Sequence, residues 1–246
     1  MIADTVKNYL KAVNADAVNL KAVLFDMDGV LFDSMPNHAA SWVKTMNQIG
    51  ADFLPEEAYL HEGRTGEATI NIVFQRTFGK TVTKEEAREI YKIKSACFNN
   101  CPEAKVMPGI IDVLDKVKAA GLQTMIVTGT AQMSLLEGLN KHFPGRFDPN
   151  LTITANDVTH GKPNPEPYLN ALKKGGYKPE ETVVVENAPL GVQSAHAAGI
   201  FTIAVNTGPL DDKILRDAGA DVLFANMYSF GAHWEELLSA LNNTRK

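Results

Sequence analysis

The sequence predicts an α/β fold, a doubly wound, Rossmann-like parallel sheet with an α-helical cap inserted after its first strand. From Ile110 onward, apolar strand-like runs alternate with helix-like segments, and near-continuous apolar strands are typical of a parallel sheet covered on both faces. Between 36 and 100 the apolar spacing is helical, without a convincing strand. We predict an N-terminal extension at 1–20, an α/β core at 21–35 and 104–246, and the cap at 36–103.

The core strands are predicted from short apolar runs. KAVLFD is the first, TMIVTGT, LTITA, TVVVE and FTIAV follow in the second half of the chain, and DVLF is an expected edge strand. Helical spacing separates them, as at Ile110, Val113 and Val117, where Gly121 is a natural stop. A last helix contains Trp234. Ligands of such sheets bind at the carboxyl ends of the strands.

The predicted cap contains three amphipathic helices. Trp42 and Met46 belong to the first apolar stripe, Ile70 belongs to the second, and the third helix begins at Thr83 with Glu86 three residues later, a capping-box pattern. Two crossings, near 34–36 and 101–108, would join the cap to the core. The first 20 residues form either a short amphipathic helix or an extended leader into the first strand.

Composition and charge favour a soluble protein. Apolar residues make up 45% and charged residues 22% of the chain, as in ordinary globular proteins. The net charge of −5 argues against a nucleic-acid or anionic-membrane partner. No apolar run is long enough for a bilayer, and the N-terminus does not resemble a signal peptide. We therefore expect a cytoplasmic monomer with no membrane partner, in which Cys97 and Cys101 are reduced thiols.

The strongest local pattern is AVLFDMDGVLFDS. Asp26 ends an apolar strand, Asp28 follows two residues later, and Gly29 permits a sharp turn. Two carboxylates at one strand end repel each other, and a divalent cation would remove that cost. An ordinary acidic turn is one alternative. A calcium loop is disfavoured because Gly29 comes too early, and the D-x-D of a nucleotide-sugar transferase is expected elsewhere than at the end of the first strand.

Three later segments bring polar residues to other strand ends. Thr128 and Gly129 follow MIV, Lys162 lies in HGKPNPEPY before a helix, and Glu186 and Asn187 end TVVVEN. Singly, these residues could be a helix cap, a solvated lysine and turn formers. Together with Asp26, they occupy the same edge of one parallel sheet, so we expect them to converge.

These four segments resemble, in order and spacing, the four motifs of the haloacid dehalogenase-like (HAD) phosphotransferases. The resemblance covers nearly the whole chain from Lys21. The insertion after the first strand is similar to the subgroup with a helical cap, which includes β-phosphoglucomutase and many small-molecule phosphatases. The resemblance implies a Mg²⁺-dependent phosphoryl hydrolase with an aspartyl-phosphate intermediate.

The resemblance also implies catalytic roles. Asp26 would be the nucleophile, and Asp28 would be the general acid for the leaving group and then the base for water. Thr128, Gly129 and Lys162 would hold the phosphoryl oxygens. A carboxylate is a weak nucleophile toward an anion, so Mg²⁺ and Lys162 must neutralise charge before it attacks.

The metal motif departs from the family pattern. The resemblance assigns Mg²⁺ to Asp26, the Asp28 carbonyl and the Glu186–Asn187 segment, but Asn187 is neutral where an acidic residue is usual. Glu62 precedes Gly63 in the cap loop, at a position where β-phosphoglucomutase-like proteins often have lysine. Our hypothesis is that Glu62 reaches the metal and restores the charge. The alternative is that Glu62 is exposed or pairs with Arg64.

The combination of Glu62 and Asn187 resembles a branch that acts on inorganic pyrophosphate, which we expect as the substrate. A sugar-phosphate phosphatase and β-phosphoglucomutase are the alternatives among small phosphorylated substrates, and a catalytically silent binding module is the remote one. Arg64 could hold a second phosphate, but Gly66 replaces the next arginine expected in a mutase. His38 could hydrogen-bond Asp28 or the substrate, or be structural.

Overall fold

The computed structural model describes residues 2–130 and 133–245, except the side chains of residues 133, 134 and 136. The strands are β1 Ala22–Phe25, β2 Phe32–Asp33, β3 Lys105–Val106, β4 Gln123–Val127, β5 Thr152–Ile153, β6 Thr182–Glu186, β7 Phe201–Val205 and β8 Val222–Phe224. The helices are α1 Ile2–Ala12, α2 Met35–Gln48, α3 Pro55–Leu60, α4 Gly66–Phe78, α5 Lys84–Asn99, α6 Ile110–Ala119, α7 Met133–His142, α8 Glu166–Gly175, α9 Pro189–Ala197, α10 Asp212–Asp217, α11 Met227–Ala232 and α12 Trp234–Asn243.

The main sheet has six parallel strands in the order β5-β4-β1-β6-β7-β8. At its centre, Phe25 is aligned with Ile126 of β4 and with Val185 of β6. This register brings the carboxyl ends of β4, β1 and β6 side by side. The predicted α/β class and parallel sheet are confirmed.

Alternate residues of β1 enter two different apolar cores, one on each face of the sheet. Val23 and Phe25 pack on the face that α6 and α12 cover, and Ala22 and Leu24 pack on the face covered by α8 and α9. Because side chains alternate along a strand, a strand covered on both faces is apolar throughout. This double coverage explains the unbroken apolar runs in the sequence.

The N-terminal residues form α1, which packs on the sheet domain. Val6 and Leu10 are fully buried in the same core as Trp234. The Tyr9 hydroxyl donates to the Gly199 carbonyl at 3.0 Å. Of the two predicted forms for this segment, the structure shows the amphipathic helix.

A short antiparallel ribbon connects the core to the inserted helices. Phe32 pairs with Val106 and Asp33 with Lys105, so both chain crossings leave through β2 and β3. The sequence patterns missed this ribbon because each strand is only two residues long.

The inserted segment folds into α2–α5 around an apolar core of its own, which includes Trp42, Met46, Ile70 and Val73. The capping box at Thr83 is present, with reciprocal hydrogen bonds to Glu86. The short helix α3 lacked a recognisable stripe and was not predicted. The domain boundaries at 36 and 103 stay a prediction.

Two further expectations concern membranes and thiols. Across 2–130 and 133–245, no helix has both the length and the apolar character needed to cross a bilayer. Cys97 and Cys101 are free thiols, and the Cys101 Sγ lies 3.4 Å from the Cys97 carbonyl oxygen near the end of α5.

Candidate active site

The polar residues predicted at strand ends lie at one edge of the main sheet. Asp26 directly follows β1, Thr128 directly follows β4, and Asn187 directly follows β6. These strands are neighbours, so the parallel register alone brings the three side chains together. Lys162 reaches the same place from the loop before α8, although its strand, β5, is two positions away from β1.

Lys162 is the buried cation of the site. Its Nζ donates to Asp26 Oδ1 at 2.5 Å, to Glu186 Oε1 at 2.6 Å and to the Val127 carbonyl at 3.0 Å. Burial lowers the pKa of Lys162, but the carboxylates of Asp26 and Glu186 raise it by a larger amount. The pKa of Lys162 therefore lies above its usual value. Lys162 therefore stays charged next to Asp26.

Glu186 uses both carboxylate oxygens within the protein. Oε1 accepts from Lys162 and from the Tyr168 hydroxyl at 2.8 Å, and Oε2 accepts from the backbone N–H groups of Asn187 and Ala188 at 3.1 and 3.2 Å. These contacts fix the position of Lys162. The contact between Glu186 and a metal stays a prediction.

Asp28 is held by two hydrogen bonds. Ser34 Oγ donates to Asp28 Oδ1 at 2.5 Å, and His38 Nε2 lies 3.0 Å from the same oxygen. Lys94 Nζ lies 2.7 Å from His38 Nδ1. Because an ammonium can only donate, Nδ1 accepts and the His38 proton lies on Nε2, directed at Asp28. Burial raises the pKa of Asp28, but His38 and Ser34 lower it more, so it lies below its ordinary value.

Lys94 belongs to α5 and is only 1% exposed. Its Nζ lies 5.6, 5.7 and 4.9 Å from the ring centroids of Trp42, Tyr91 and Phe98, within cation–π range. Burial lowers the pKa of Lys94 to about 8. The aromatic rings and His38 thus hold the Lys94 ammonium on the opposite side of the His38 ring from Asp28.

The cap loop between α3 and α4 reaches the strand ends. Asn187 Nδ2 donates to the two carboxylate oxygens of Glu62 at 3.2 and 3.0 Å. A Cβ at Gly63 would lie 2.8 Å from Lys162 Cδ, and a Cβ at Gly129 would lie 2.8 Å from the Gly63 carbonyl oxygen. The loop can approach this closely only because both positions are glycine.

Carboxylates outnumber the cations at the strand ends. Asp26 and Glu186 accept hydrogen bonds from Lys162, and Asp28 and Glu62 add two further carboxylates within electrostatic range of Asp26. Burial raises the pKa of Asp26 to about 8, with the carboxylates of Glu186 and Asp28 adding to the rise and Lys162 opposing it. Burial and the same carboxylates also raise the pKa of Glu62. Such a site is suited to an additional cation.

The oxygen donors fit Mg²⁺. Asn187 Oδ1 is buried and has no hydrogen-bond partner, whereas its Nδ2 binds Glu62. Carboxylate, amide and backbone oxygens are the donors that this hard cation prefers. In the part of the chain that the structure describes, no cluster of three or more His, Cys, Asp or Glu side chains is arranged to hold a metal. A site here therefore needs the Asn187 and backbone oxygens.

A small cavity of about 60 Å³ lies between the cap and the core. Asp28 and Gly129 line it from the core, and Arg64 and Tyr91 line it from the cap. A Cβ at Gly66 would lie 2.2 Å from the Tyr91 ring, so Tyr91 occupies the space of a side chain at position 66. The space between the cap and the core is therefore small.

Comparison with known proteins identifies the family. Residues 23–205 match the family model described as haloacid dehalogenase-like hydrolase. The chain belongs to this family. The HAD chain is 34% identical over 199 residues to Hexitol phosphatase A of Escherichia coli strain K12, spanning 80% of this chain and 88% of that protein. It is 27% identical over 215 residues to Pyrophosphatase PpaX of Oceanobacillus iheyensis, spanning 85% and 94%.

A solved structure from Bacteroides vulgatus, named "Putative beta-phosphoglucomutase", is similar to the HAD chain along almost its entire length. The identity is 58%, the TM-score is 0.95, and the match covers 98% of each chain. The β-phosphoglucomutase-like architecture with a helical cap is thereby confirmed. The protein is a HAD-family phosphatase.

The structure of the HAD chain brings all the predicted site residues to one region. Thr128 is buried, with its hydroxyl accepting from the Thr130 N–H at 3.0 Å, and Gly129, Arg64, His38 and Glu62 line the cavity. Lys94 and Tyr168 were missed. Lys94 occupies a core-facing position of α5, in register with Ala87, Ile90 and Phe98, and this placement on an apolar stripe was the available signal.

Proposed function

We propose that this HAD phosphatase hydrolyses inorganic pyrophosphate with Mg²⁺ through an aspartyl-phosphate on Asp26. The observation that supports the proposal is the contact between Glu62 and Asn187, a cap carboxylate held at the end of β6, the neighbour of the strand that Asp26 follows. The remaining cavity of about 60 Å³ is far below the roughly 300–1,000 Å³ of ordinary small-molecule pockets. Such a space favours a compact phosphoanhydride over a sugar phosphate.

In the proposed reaction, an Asp26 oxygen attacks phosphorus while the bond from phosphorus to the leaving oxygen breaks. The phosphate anion that binds next to Asp28 raises its proton affinity, so Asp28, held by Ser34 and His38, takes up a proton from solvent on binding and gives it to the leaving phosphate. Asp28 then takes a proton from water, which attacks the aspartyl-phosphate, releases inorganic phosphate and regenerates Asp26. Lys162 offsets the negative charge of Asp26 and of the transferred group.

The proposed metal ligands are Asp26, the Asp28 carbonyl, Asn187 Oδ1 and Glu62, the last directly or through water. The buried, unpartnered Asn187 Oδ1 supports this set. Mg²⁺ bound there would reduce the repulsion between the nucleophile and the phosphate. In this proposal, Glu186 is not a metal ligand but positions Lys162 through their hydrogen bond.

The comparisons favour a second candidate, sugar-phosphate hydrolysis. The relative named Hexitol phosphatase A is more similar to this chain than the relative named Pyrophosphatase PpaX, at 34% against 27% identity. On sequence similarity alone, a sugar phosphate is the better supported substrate. The mutase alternative is suggested by the name of the Bacteroides vulgatus protein.

A substrate panel with Mg²⁺ separates these functions. Pyrophosphate, hexitol and hexose 6-phosphates, and β-glucose 1-phosphate are compared on wild type and on Asp26→Asn. We expect kcat/KM for pyrophosphate to be at least about tenfold above that of any sugar phosphate, and Asp26→Asn to lose at least about a thousandfold.

Three other results of this substrate panel would each support a different function. Faster turnover of hexitol or hexose phosphates establishes the sugar phosphatase. Conversion of β-glucose 1-phosphate to glucose 6-phosphate establishes the mutase. The absence of turnover of every ester and anhydride favours the silent binding module.

A further inference from the structure

The turn at 61–64 presents four consecutive residues to the active site. The Arg64 N–H donates to the His61 carbonyl at 3.1 Å, which closes the turn. At its tip, Glu62 contacts Asn187 and Gly63 packs against Lys162. The residues at its two ends, His61 and Arg64, also line the cavity.

Both ends of this turn carry a buried polar atom without a partner. Across 2–130 and 133–245, five buried side-chain atoms lack a hydrogen bond, and His61 Nδ1 and Arg64 Nε are two of them. A buried donor or acceptor without a partner costs about 1–3 kcal/mol, so each such atom calls for a partner. Two of them beside one cavity indicate a ligand that accepts hydrogen bonds from the cap.

The chemistry of the two walls identifies the part of the ligand that His61 faces. The strand ends of the core carry the nucleophile Asp26 and the oxygen donors for Mg²⁺, so the reacting phosphoryl group lies on that side. The cap wall opposite them includes His61 and Arg64, and each of these residues has a buried nitrogen without a partner. A ligand spanning this space therefore presents its non-reacting end to the cap, and in pyrophosphate that end is a second phosphoryl group.

We propose that His61 is a specificity residue, with Nδ1–H donating to the non-reacting phosphoryl group of the substrate. The inference rests on the proposed pyrophosphate hydrolysis and names one donor that selects for a diphosphate. The His61 ring is held in place by Phe53, with ring centroids 6.3 Å apart, and by its backbone N–H, which donates to the Glu57 carbonyl at 3.0 Å. The position of the His61 ring beside the cavity is thus fixed before substrate binds.

The test compares pyrophosphate with acetyl phosphate, which has the same reacting phosphoryl group but lacks the second one. His61→Phe keeps the ring against Phe53 and removes the donor, whereas His61→Asn retains a donor near the Nδ1 position. We expect His61→Phe to lower the ratio of the two kcat/KM values, pyrophosphate over acetyl phosphate, at least about tenfold. His61→Asn should restore the ratio to within about threefold of wild type.

An equal fall for both substrates would make His61 structural, and an unchanged ratio would remove its role. Calorimetric titration of pyrophosphate with Mg²⁺ into Asp26→Asn, with and without His61→Phe, separates the inference from the proposed function. Tenfold weaker binding caused by His61→Phe supports the inference even if wild type does not hydrolyse pyrophosphate, in which case the proposed function alone fails. Equal binding by the two proteins, or no binding by either, overturns the inference.

Discussion

Glu62 and Asn187 form a polar contact between the cap and the core. Glu62 lies on the cap turn and Asn187 follows β6, and the amide of Asn187 holds the Glu62 carboxylate. The amide nitrogen is committed to this contact, so its oxygen is free for a cation. If Glu62 is a metal ligand, as proposed, its negative charge reaches the metal only when the cap turn contacts Asn187.

We predict that Glu62→Ala weakens Mg²⁺ binding and lowers kcat/KM for the preferred substrate by at least about tenfold, since one anionic ligand is lost. Magnesium titrations of activity give the apparent affinity. Glu62→Gln is the matched control, because it keeps the length of the side chain but removes the charge. If Glu62→Ala has wild-type metal affinity and turnover, Glu62 is not a metal ligand.

Lys94 stabilises one tautomer of His38 from a buried aromatic site. We expect Lys94→Met to fit among the rings of Trp42, Tyr91 and Phe98, so the melting temperature should stay unchanged or rise, because a buried charge is removed. The hydrogen bond to His38 Nδ1 is lost, and kcat should fall about tenfold or more. Thermal unfolding and kcat are measured on the same protein. A parallel loss of both would show that Lys94 is structural.

The residues at the strand ends could be predicted from residue patterns, but the buried side chains that hold them in position could not. Asp26, Thr128 and Asn187 directly follow apolar strands, so the parallel topology fixes their meeting point. Lys94 and Tyr168 act through tertiary contacts, the first with His38 and the second with Glu186. A lysine on a helix is ordinarily solvated, and its burial depends on helices packed around it.

At the scale of elements, the loop after β4 and the cap turn approach each other with no space for a side chain. Gly129→Ala would place a Cβ 2.8 Å from the Gly63 carbonyl oxygen. We predict that it displaces the cap turn and lowers kcat/KM about tenfold, with little change in melting temperature. Gly138→Ala in α7 is the control, because its Cβ would meet ordinary contacts at 3.5 Å or more. Equal activity of the two variants would contradict the close approach.

Asp221 joins β7 to the start of β8. Its N–H donates to the Thr202 carbonyl at 2.9 Å, and its Oδ2 accepts from the Thr202 N–H at 2.7 Å. Burial raises the pKa of Asp221 to about 6, although the Thr202 N–H opposes the rise. The folded protein therefore binds this proton more tightly than the unfolded chain, which has a pKa of about 4.

The stabilising contribution of protonated Asp221 is fully present below pH 4 and is lost as pH rises through 6. We predict that the free energy of unfolding of wild type, minus that of Asp221→Asn, falls by about 1–3 kcal/mol between pH 4 and pH 7. Urea unfolding of both proteins at several pH values measures the difference. A difference that is flat or increases with pH would refute the raised pKa.

Long periodic elements were predictable, and short connecting ones were not. The buried strands and the capped helix α5 carry their own signals, such as Thr83 and Glu86. The ribbon of β2 and β3 has four residues in all, too few for periodicity. It forms because both crossings of the chain pass the same edge, which is a property of the assembled fold.

In the whole molecule, two chain crossings join the apolar cores of the sheet domain to the separate core of the cap. The sequence predicted this division from the change in pattern after the first strand. It could not predict the depth of cap closure, which depends on the fit of the turn at 61–64 against Gly129 and Lys162. The volume left for the substrate is therefore set by the tertiary packing of the cap against the core.

A cation at the strand ends would connect Glu62 of the cap to Asp26 of the core, so metal binding should stabilise the whole fold. At a Mg²⁺ concentration 100 times the dissociation constant, the gain is about 2.7 kcal/mol, or roughly 5–10 °C in melting temperature for a chain of this size. We predict this shift for wild type and a much smaller one for Asn187→Ala, measured against sodium chloride of equal ionic strength. If Asn187→Ala shows the same shift, Mg²⁺ binds elsewhere. If neither protein responds, the surplus of carboxylates around Lys162 is balanced by protons alone.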